Sequence, residues 1–432
     1  MLNKPKKVGI ITLGCRVNQY ESAYISEALK NKGYEVASEG DDCDYYVVNT
    51  CAVTAESERK SRQAVRKAAK NGRVAVIGCA SQINTIFKDI PNVIYVGGCR
   101  DKKGCIDAIV NDDGSLNYNV KDMSDAVYED MSVSDLKSVF SECRAFVKIE
   151  DGCNGKCAYC IIPKCRGKVR SRDAESIIRE AETLASRGYK EIILTGIEVS
   201  AYNKMPLPEL IKRVAEIDGI KRIRLGSLSP NLITEKFVKA VSECDKFMPH
   251  VHLSLQSCND KVLRDMRRPY TKQDIVDRVA VLRKYIPNCM LSADIIVGFP
   301  GETESDFSET ADCLEKLGVF HIHAFPYSER KGTIAADMPN KVPKEIRYIR
   351  NAELIKRSES IKAKILESIS RDDQKILVEK IENGIAYGHT EGYLDAKIKI
   401  NDKTINIGDI VSAKIISNDG NALECVFTEE QK

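Results

Sequence analysis

Residues 145–160 read Ala145-Phe146-Val147-Lys148-Ile149-Glu150-Asp151-Gly152-Cys153-Asn154-Gly155-Lys156-Cys157-Ala158-Tyr159-Cys160. Ala145 to Ile149 is a short run of strand character, and Gly152 breaks it. Three cysteines follow at once, spaced Cys153-x3-Cys157-x2-Cys160. Zinc sites usually bring cysteines in pairs that total four ligands, and ferredoxin-type runs keep two residues between cysteines. This spacing fits neither. Three thiolates in one loop can hold a 4Fe-4S cluster and leave one iron open to an exogenous chelating ligand. The stretch predicts a strand whose C-terminal end opens onto a metal site, the end where α/β barrels carry their chemistry.

The alternation continues downstream. Strands are expected near Glu191–Leu194, Arg222–Leu225, Val251–Leu255, Leu291–Val297 and Phe320–Phe325, with helices such as Ala174–Arg187 and Asp274–Tyr285 between them. Six βα units predict a partial or complete barrel over 144–371, ended by one long basic helix at Lys344–Ser370. Upstream, β-branched runs at Val8–Leu13, Asp44–Asn49, Val74–Ile77 and Val93–Val96 alternate with helical patterns, which predicts a doubly wound parallel sheet over residues 1–110. Residues 111–143 break that rhythm and read as a linker. Short alternating runs separated by Asn and Gly turns predict a small all-β barrel over 372–432. The fold class expected is therefore multidomain α/β with a terminal all-β barrel.

The 432 residues carry 66 Lys+Arg against 63 Asp+Glu and are 43% hydrophobic, which excludes low-complexity and disulfide-stapled classes and leaves charge silent about partners. No segment approaches the ~20 apolar residues of a membrane span, and the apolar stretch after Lys4, Lys6 and Lys7 is too short for a signal core. A cytoplasmic location is expected, where thiols stay reduced and clustered cysteines read as metal binding or catalysis. The chain has sixteen of them.

Cys15, Cys51 and Cys79 form a second set, in Leu13-Gly14-Cys15, Asn49-Thr50-Cys51 and Ile77-Gly78-Cys79. Each directly follows an expected strand of the N-terminal sheet. Strand C-termini of an open parallel sheet share one edge, so three thiols at three such ends can converge. The alternative is that one or two are merely small residues in tight βα turns.

Together these motifs resemble the methylthiotransferase family of radical S-adenosylmethionine (SAM) enzymes across essentially the whole chain. Arg16-Val17-Asn18-Gln19-Tyr20-Glu21-Ser22 resembles the bacterial branch acting on threonylcarbamoyladenosine in tRNA. His252-Leu253-Ser254-Leu255-Gln256-Ser257, Phe325-Pro326-Tyr327-Ser328 and Gly388-His389-Thr390-Glu391-Gly392-Tyr393 extend the match, the last to the RNA-binding TRAM barrel. The resemblance implies two 4Fe-4S clusters, one on Cys153, Cys157 and Cys160 that binds SAM, and an auxiliary one on Cys15, Cys51 and Cys79. It implies SAM contacts from Tyr159, Gly196, Glu198, Ser227, Gln256, Val297 and Gly298; for the strand-end segments a plain turn serves equally well on local grounds. It also implies methylthiolation of C2 of the nucleoside beside the anticodon, tRNA as partner, a low-potential electron donor, no membrane or DNA partner, and a monomer. Related enzymes acting on isopentenyladenosine or on a ribosomal protein would share both clusters, and an iron–sulfur RNA-binding or electron-transfer protein would lack the SAM chemistry. Cys165 and Cys258 depart from the family pattern; Cys165 reads as a neutral substitution, and Cys99 as a structural residue.

RNA contact requires cations against phosphates. Arg59, Arg62 and Arg66 load the helix after Cys51. Lys164, Arg166, Lys168, Arg170 and Arg172 follow the loop from Cys153 to Cys160. The terminal barrel looks acidic and offers Lys397 and Lys399. A charge run is often only a solvated helix face.

Overall fold

The computed structural model describes residues 5–37, 41–134, 143–400 and 405–428. The N-terminal apolar runs become β1 (Lys7–Thr12), β2 (Glu35–Val36), β3 (Tyr45–Thr50), β4 (Arg73–Gly78), β5 (Val93–Gly97) and β6 (Asn117–Asn119). They form one parallel sheet in the order β2-β1-β3-β4-β5-β6. Alternate residues pack on opposite faces. Tyr46, Val48, Val74 and Val76 meet Val65 and Ala68 of the helix Ala55–Asn71, while Tyr45, Val47, Ala75 and Ile77 meet Ile25, Leu29 and Ile106. Both faces are covered, which is why these strands read as continuous apolar runs. Strand β6 lies within the stretch read as a connection and extends the sheet by one strand.

The barrel is built from β7 (Ala145–Lys148), the small antiparallel pair β8 (Glu150–Asp151) and β9 (Arg170–Ser171), then β10 (Glu191–Thr195), β11 (Arg222–Leu225), β12 (His250–Gln256), β13 (Met290–Val297) and β14 (Val319–Pro326). Two three-stranded parallel sheets, β11-β10-β7 and β12-β13-β14, are linked by the parallel bridges Ile223↔Phe247 and Leu228↔Leu253. Val251, Leu253 and Leu255 pack outward with Ile275, Val279 and Leu282 of the helix Lys272–Tyr285. His250, His252, Ser254 and Gln256 alternate with them, are only half-buried, and face the lumen.

Strands β15 (Asp373–Glu382), β16 (Ile385–Thr390), β17 (Asp395–Lys399), β18 (Ile410–Asn418) and β19 (Leu423–Phe427) close into the expected small barrel. It is docked on the N-terminal ends of the larger barrel's strands. Arg222 donates to the Lys375 carbonyl at 2.7 Å, and Arg224 donates to the carbonyls of Thr390 at 3.1 Å and Glu391 at 3.0 Å. Tyr393 stacks on both His250 and His389 and lies under Arg144. The opposite end of the lumen, at the strand C-termini, faces the N-terminal sheet. Among the described residues no helix is long and apolar enough to cross a membrane.

Candidate active site

Cys153, Cys157 and Cys160 line a loop directly beyond β8, partly exposed. Burial pushes the Cys153 thiol up to about 11 and the Cys160 thiol up to about 12, so ionising them calls for a strong local cation. Arg268 supplies one, its Nη1 donating to Cys157 Sγ at 3.2 Å while Nη2 holds the Ser254 carbonyl at 2.9 Å.

Two acids complete this edge. The Glu198 backbone N–H donates to Glu150 Oε2 at 2.7 Å. Glu150 Oε1 and Glu198 Oε1 are both buried with no hydrogen-bond partner among the described residues. Burial pushes the Glu150 carboxyl up to about 9 and raises that of Glu198. Gly196 lets them converge, because a Cβ there would lie 2.9 Å from Glu150 Oε2. Two orphaned carboxylate oxygens at one spot leave room for a cationic ligand such as an ammonium. Gln256 and Val297 end β12 and β13 on the same rim, Gln256 with φ 66°, and Gly298 and Ser227 lie just past strand ends there. Tyr159 packs beside Phe299 and Tyr327. All seven expected SAM residues thus sit at the strand C-termini or on the cysteine loop.

The second cysteine set is also brought to one edge. The ends of β1, β3 and β4 are in register, Thr12 opposite Asn49 and Thr50 opposite Gly78. Cys15 is the N-cap of the helix Arg16–Asn31, Cys51 follows β3, and Cys79 opens the helix Cys79–Ile83. Gly14, at φ 97°, permits the close crossing of the first two turns: a Cβ there would lie 2.8 Å from Cys51 Sγ. Asn18 ties them together, donating to the carbonyls of Leu13 at 2.8 Å and Thr50 at 3.1 Å. Cys99, read as structural, brings its Sγ to 3.7 Å from that of Cys79, and the Cys165 thiol also lies against Cys79.

A fully buried charge cluster joins the two edges. Arg166 donates from Nη1 to Glu21 at 2.8 Å and Asp151 at 3.0 Å, from Nη2 to Asn18 at 2.7 Å, and from Nε to Cys79 Sγ at 3.4 Å. Lys148 reaches Glu21 at 3.0 Å and Asp151 at 2.8 Å, and Lys102 reaches Glu21 at 3.6 Å. Glu21 and Lys102 belong to the N-terminal domain, Lys148 and Asp151 to the barrel. The cluster therefore fixes one cysteine site against the other, and hydrogen bonds from Cys165 and Cys99, with the Arg166 guanidinium, hold the Cys79 thiol well below its usual range.

Deeper in the lumen, His252 Nε2 lies 3.1 Å from Asp294 Oδ2 and His323 Nδ1 lies 3.3 Å from Asp294 Oδ1. The ligand atoms fall within 4.8 Å of one another, close enough for one divalent cation, and the contacts are equally complete as hydrogen bonds. Ser292 Oγ supports His252 at 2.8 Å.

Residues 147–314 match the model of the Radical SAM superfamily, and residues 7–99 match one described as Uncharacterized protein family UPF0004. The chain is 36% identical over 426 residues to threonylcarbamoyladenosine tRNA methylthiotransferase MtaB of Bacillus subtilis (strain 168), covering 95% of this chain and 93% of that protein. The chain belongs to the radical SAM tRNA methylthiotransferases. MtaB of Thermotoga maritima is 35% identical, covering 90% of each chain, and a tRNA-2-methylthio-N(6)-dimethylallyladenosine synthase of Clostridium botulinum is 34% identical, covering 94% of each. In fold, the chain resembles the radical SAM methyltransferase TsrM of Kitasatospora setae, with a TM-score of 0.56, 16% identity and 77% of each chain covered.

As a radical SAM methylthiotransferase the chain uses SAM and a 4Fe-4S cluster, and the orphaned oxygens of Glu150 and Glu198 beside the three-thiol loop fit that pair. The expected RNA surface needs correction. Arg172 is buried, with its Nε donating to Asp130 at 2.8 Å and Nη1 to Glu180, so it does not meet phosphates. Arg166 is buried in the charge cluster, and Arg170 turns inward to the carbonyls of Arg166 at 2.6 Å and Lys168 at 2.8 Å. Arg66, Lys168 and Lys399 are exposed. Arg59 and Arg62 pair with Glu56 and Glu58 of their own helix, and Lys397 with Asp419. Glu150, Arg268 and Glu21 escape sequence reading. The available signal was charge at alternate positions of the β7–β8 run, Lys148 and Glu150, on the face opposite Val147 and Ile149.

Proposed function

We propose that the chain methylthiolates C2 of N6-threonylcarbamoyladenosine at position 37 of tRNA, giving 2-methylthio-N6-threonylcarbamoyladenosine. The observation that carries this reading is the pair of three-cysteine edges locked together by one buried charge cluster. Two such sites suit a reaction that must both break an unactivated C–H bond and deliver sulfur to the same carbon. Cys153, Cys157 and Cys160 hold the SAM-binding cluster, and Cys15, Cys51 and Cys79 hold a second one. When bound, the clusters and SAM supply the one-electron chemistry and the methylthio group. The residues supply position and dryness. Glu150 and Glu198 receive the methionine ammonium, Arg268 holds positive charge against Cys157, and Tyr159, Ser227, Gln256, Val297 and Gly298 shape the rim around the nucleoside part. Arg66, Lys168 and Lys399, which are exposed, contact the anticodon stem-loop, joined by Arg59, Arg62 and Lys397 where RNA phosphates displace their carboxylate partners. A low-potential donor reduces the enzyme, which works as a cytoplasmic monomer.

An anaerobic count of about eight iron and eight sulfide per chain is expected; about four of each would mean a single cluster. Cys157→Ala should abolish 5'-deoxyadenosine formation, while Cys51→Ala should spare it and stop sulfur insertion. In a deletion strain, methylthio-threonylcarbamoyladenosine should disappear from tRNA hydrolysates analysed by mass spectrometry. Its persistence would refute the substrate assignment, and loss of the isopentenyladenosine product instead would reassign the enzyme.

A further inference from the structure

The lumen of the larger barrel, from the docked terminal barrel at one end to the cysteine edges at the other, is rich in cations, and most of them are spent. Arg144 is paired with Glu379 at 2.9 Å, Arg224 with Glu191 at 3.1 Å, Lys148 with Glu21 and Asp151, and Arg268 with Cys157 and the Ser254 carbonyl. His252 and His323 share Asp294. Arg16 stands apart. It is exposed, its guanidinium carbon lies 5.4 Å from the centre of the Phe146 ring on β7, and among the described residues no carboxylate pairs with it. Phe146 alternates along its strand with Arg144 and Lys148 and so faces the lumen with them.

We propose that Arg16 reads the N6 side chain of the substrate nucleoside, its guanidinium forming a bidentate ion pair with the carboxylate of the threonylcarbamoyl group. The inference rests on the functional reading above and names the residue that chooses its substrate. A carboxylate brought beside Asp294 in this lumen would be repelled without a cationic partner, and Arg16 is the cation left to supply one. The planar fork of arginine matches a carboxylate, and stacking on Phe146 orients the fork in advance. Arg16 is also the neighbour of Cys15 in the chain. C2 and the N6 substituent sit on the same six-membered ring of the purine, so a base that offers C2 to the Cys15 edge keeps its side chain in the Arg16 neighbourhood. An apolar N6 group would cover part of Arg16 without offering it an ion pair, which favours the acidic nucleoside over the apolar one.

The test uses cluster-loaded enzyme and two anticodon stem-loop RNAs, one with threonylcarbamoyladenosine and one with its methyl ester, with Kd read by fluorescence anisotropy. Wild type should bind the acid more tightly than the ester. Arg16→Gln should lose about tenfold to a hundredfold on the acid, so that the acid-to-ester ratio approaches one, and Arg16→Lys should keep part of the preference. The ratio cancels any general loss from misfolding. Arg16→Gln retaining the preference, or wild type showing none, overturns the inference while leaving the functional reading in place. Wild type that binds but forms no methylthio product on the acid RNA overturns the functional reading and the inference with it.

Discussion

Glu21 offers the sharpest test of how the two domains are held. Its carboxylate is fully buried and surrounded by Arg166 at 2.8 Å, Lys148 at 3.0 Å and Lys102 at 3.6 Å. Burial raises its pKa, but those three cations outweigh the burial and hold it well below the usual carboxylate range. Glu21→Gln keeps the shape and removes the charge, leaving Arg166 and Lys148 to share Asp151 and Lys102 without its carboxylate. Each attraction at this range is about 4 kcal/mol at an effective dielectric of 20, much of it offset by the desolvation that Gln avoids. Breaking a buried pair from one side costs about 3–5 kcal/mol. For a domain of this size that is a fall in Tm on the order of 10 °C. Anaerobic thermal unfolding of the cluster-loaded protein reads it directly. The folded pKa is depressed, so the stabilisation is complete above the ordinary carboxylate range and is lost as pH falls through the depressed value; wild type and Glu21→Gln should converge in acid. Glu21→Gln/Lys148→Met, which restores the balance of charge, should recover about half of the loss. A single variant melting within ~2 °C of wild type, or a double variant that is simply additive, would refute the claim that charge balance in this cluster joins the domains.

Three further outcomes follow from the geometry. Between pH 6 and 8 SAM-free wild type keeps a proton on Glu150 that the unfolded chain releases, so this group lowers stability as pH rises, by roughly 3 kcal/mol across the window. Glu150→Gln should lose that slope in urea midpoints, and parallel pH profiles would contradict it. Arg224→Met leaves Glu191 short of a partner and removes two donors to the terminal barrel, and should destabilise that interface by about 3 kcal/mol, seen as faster hydrogen exchange in β16; unchanged exchange would show that the docking rests elsewhere. Arg66→Ala should weaken binding to every tRNA alike and lower the slope of log K against log salt by about 1, and an unaltered slope would remove the helix Ala55–Asn71 from the RNA surface.

Legibility in the sequence divides along a physical line. The loop from Cys153 to Cys160 was readable because its ligand spacing is local, and the strand-end cysteines because parallel topology sends all strand C-termini to one edge. The charges were misread for the converse reason. Lys164 to Arg172 looks like one basic stripe, yet Arg166 finds its carboxylate 145 positions away at Glu21, and Arg172 is buried against Asp130 and Glu180 and reaches Tyr20 across the domain boundary. No local pattern separates a solvated arginine from a buried one whose carboxylate lies in another domain. The same holds for Cys99 and Cys165, which look scattered in sequence and meet at Cys79. Yet the segment Arg16–Ser22 served as the mark of a substrate branch, and the structure gives it two jobs: Asn18, Tyr20 and Glu21 turn inward to dock the domains, while Arg16 turns to the lumen. The helix separates only part of this set: Asn18 and Glu21 share the face turned to Arg166, whereas Arg16 lies one turn before Tyr20 on the other side, so Arg16, at the helix's first turn beside Cys15, lies over Phe146 and stays free to meet a substrate.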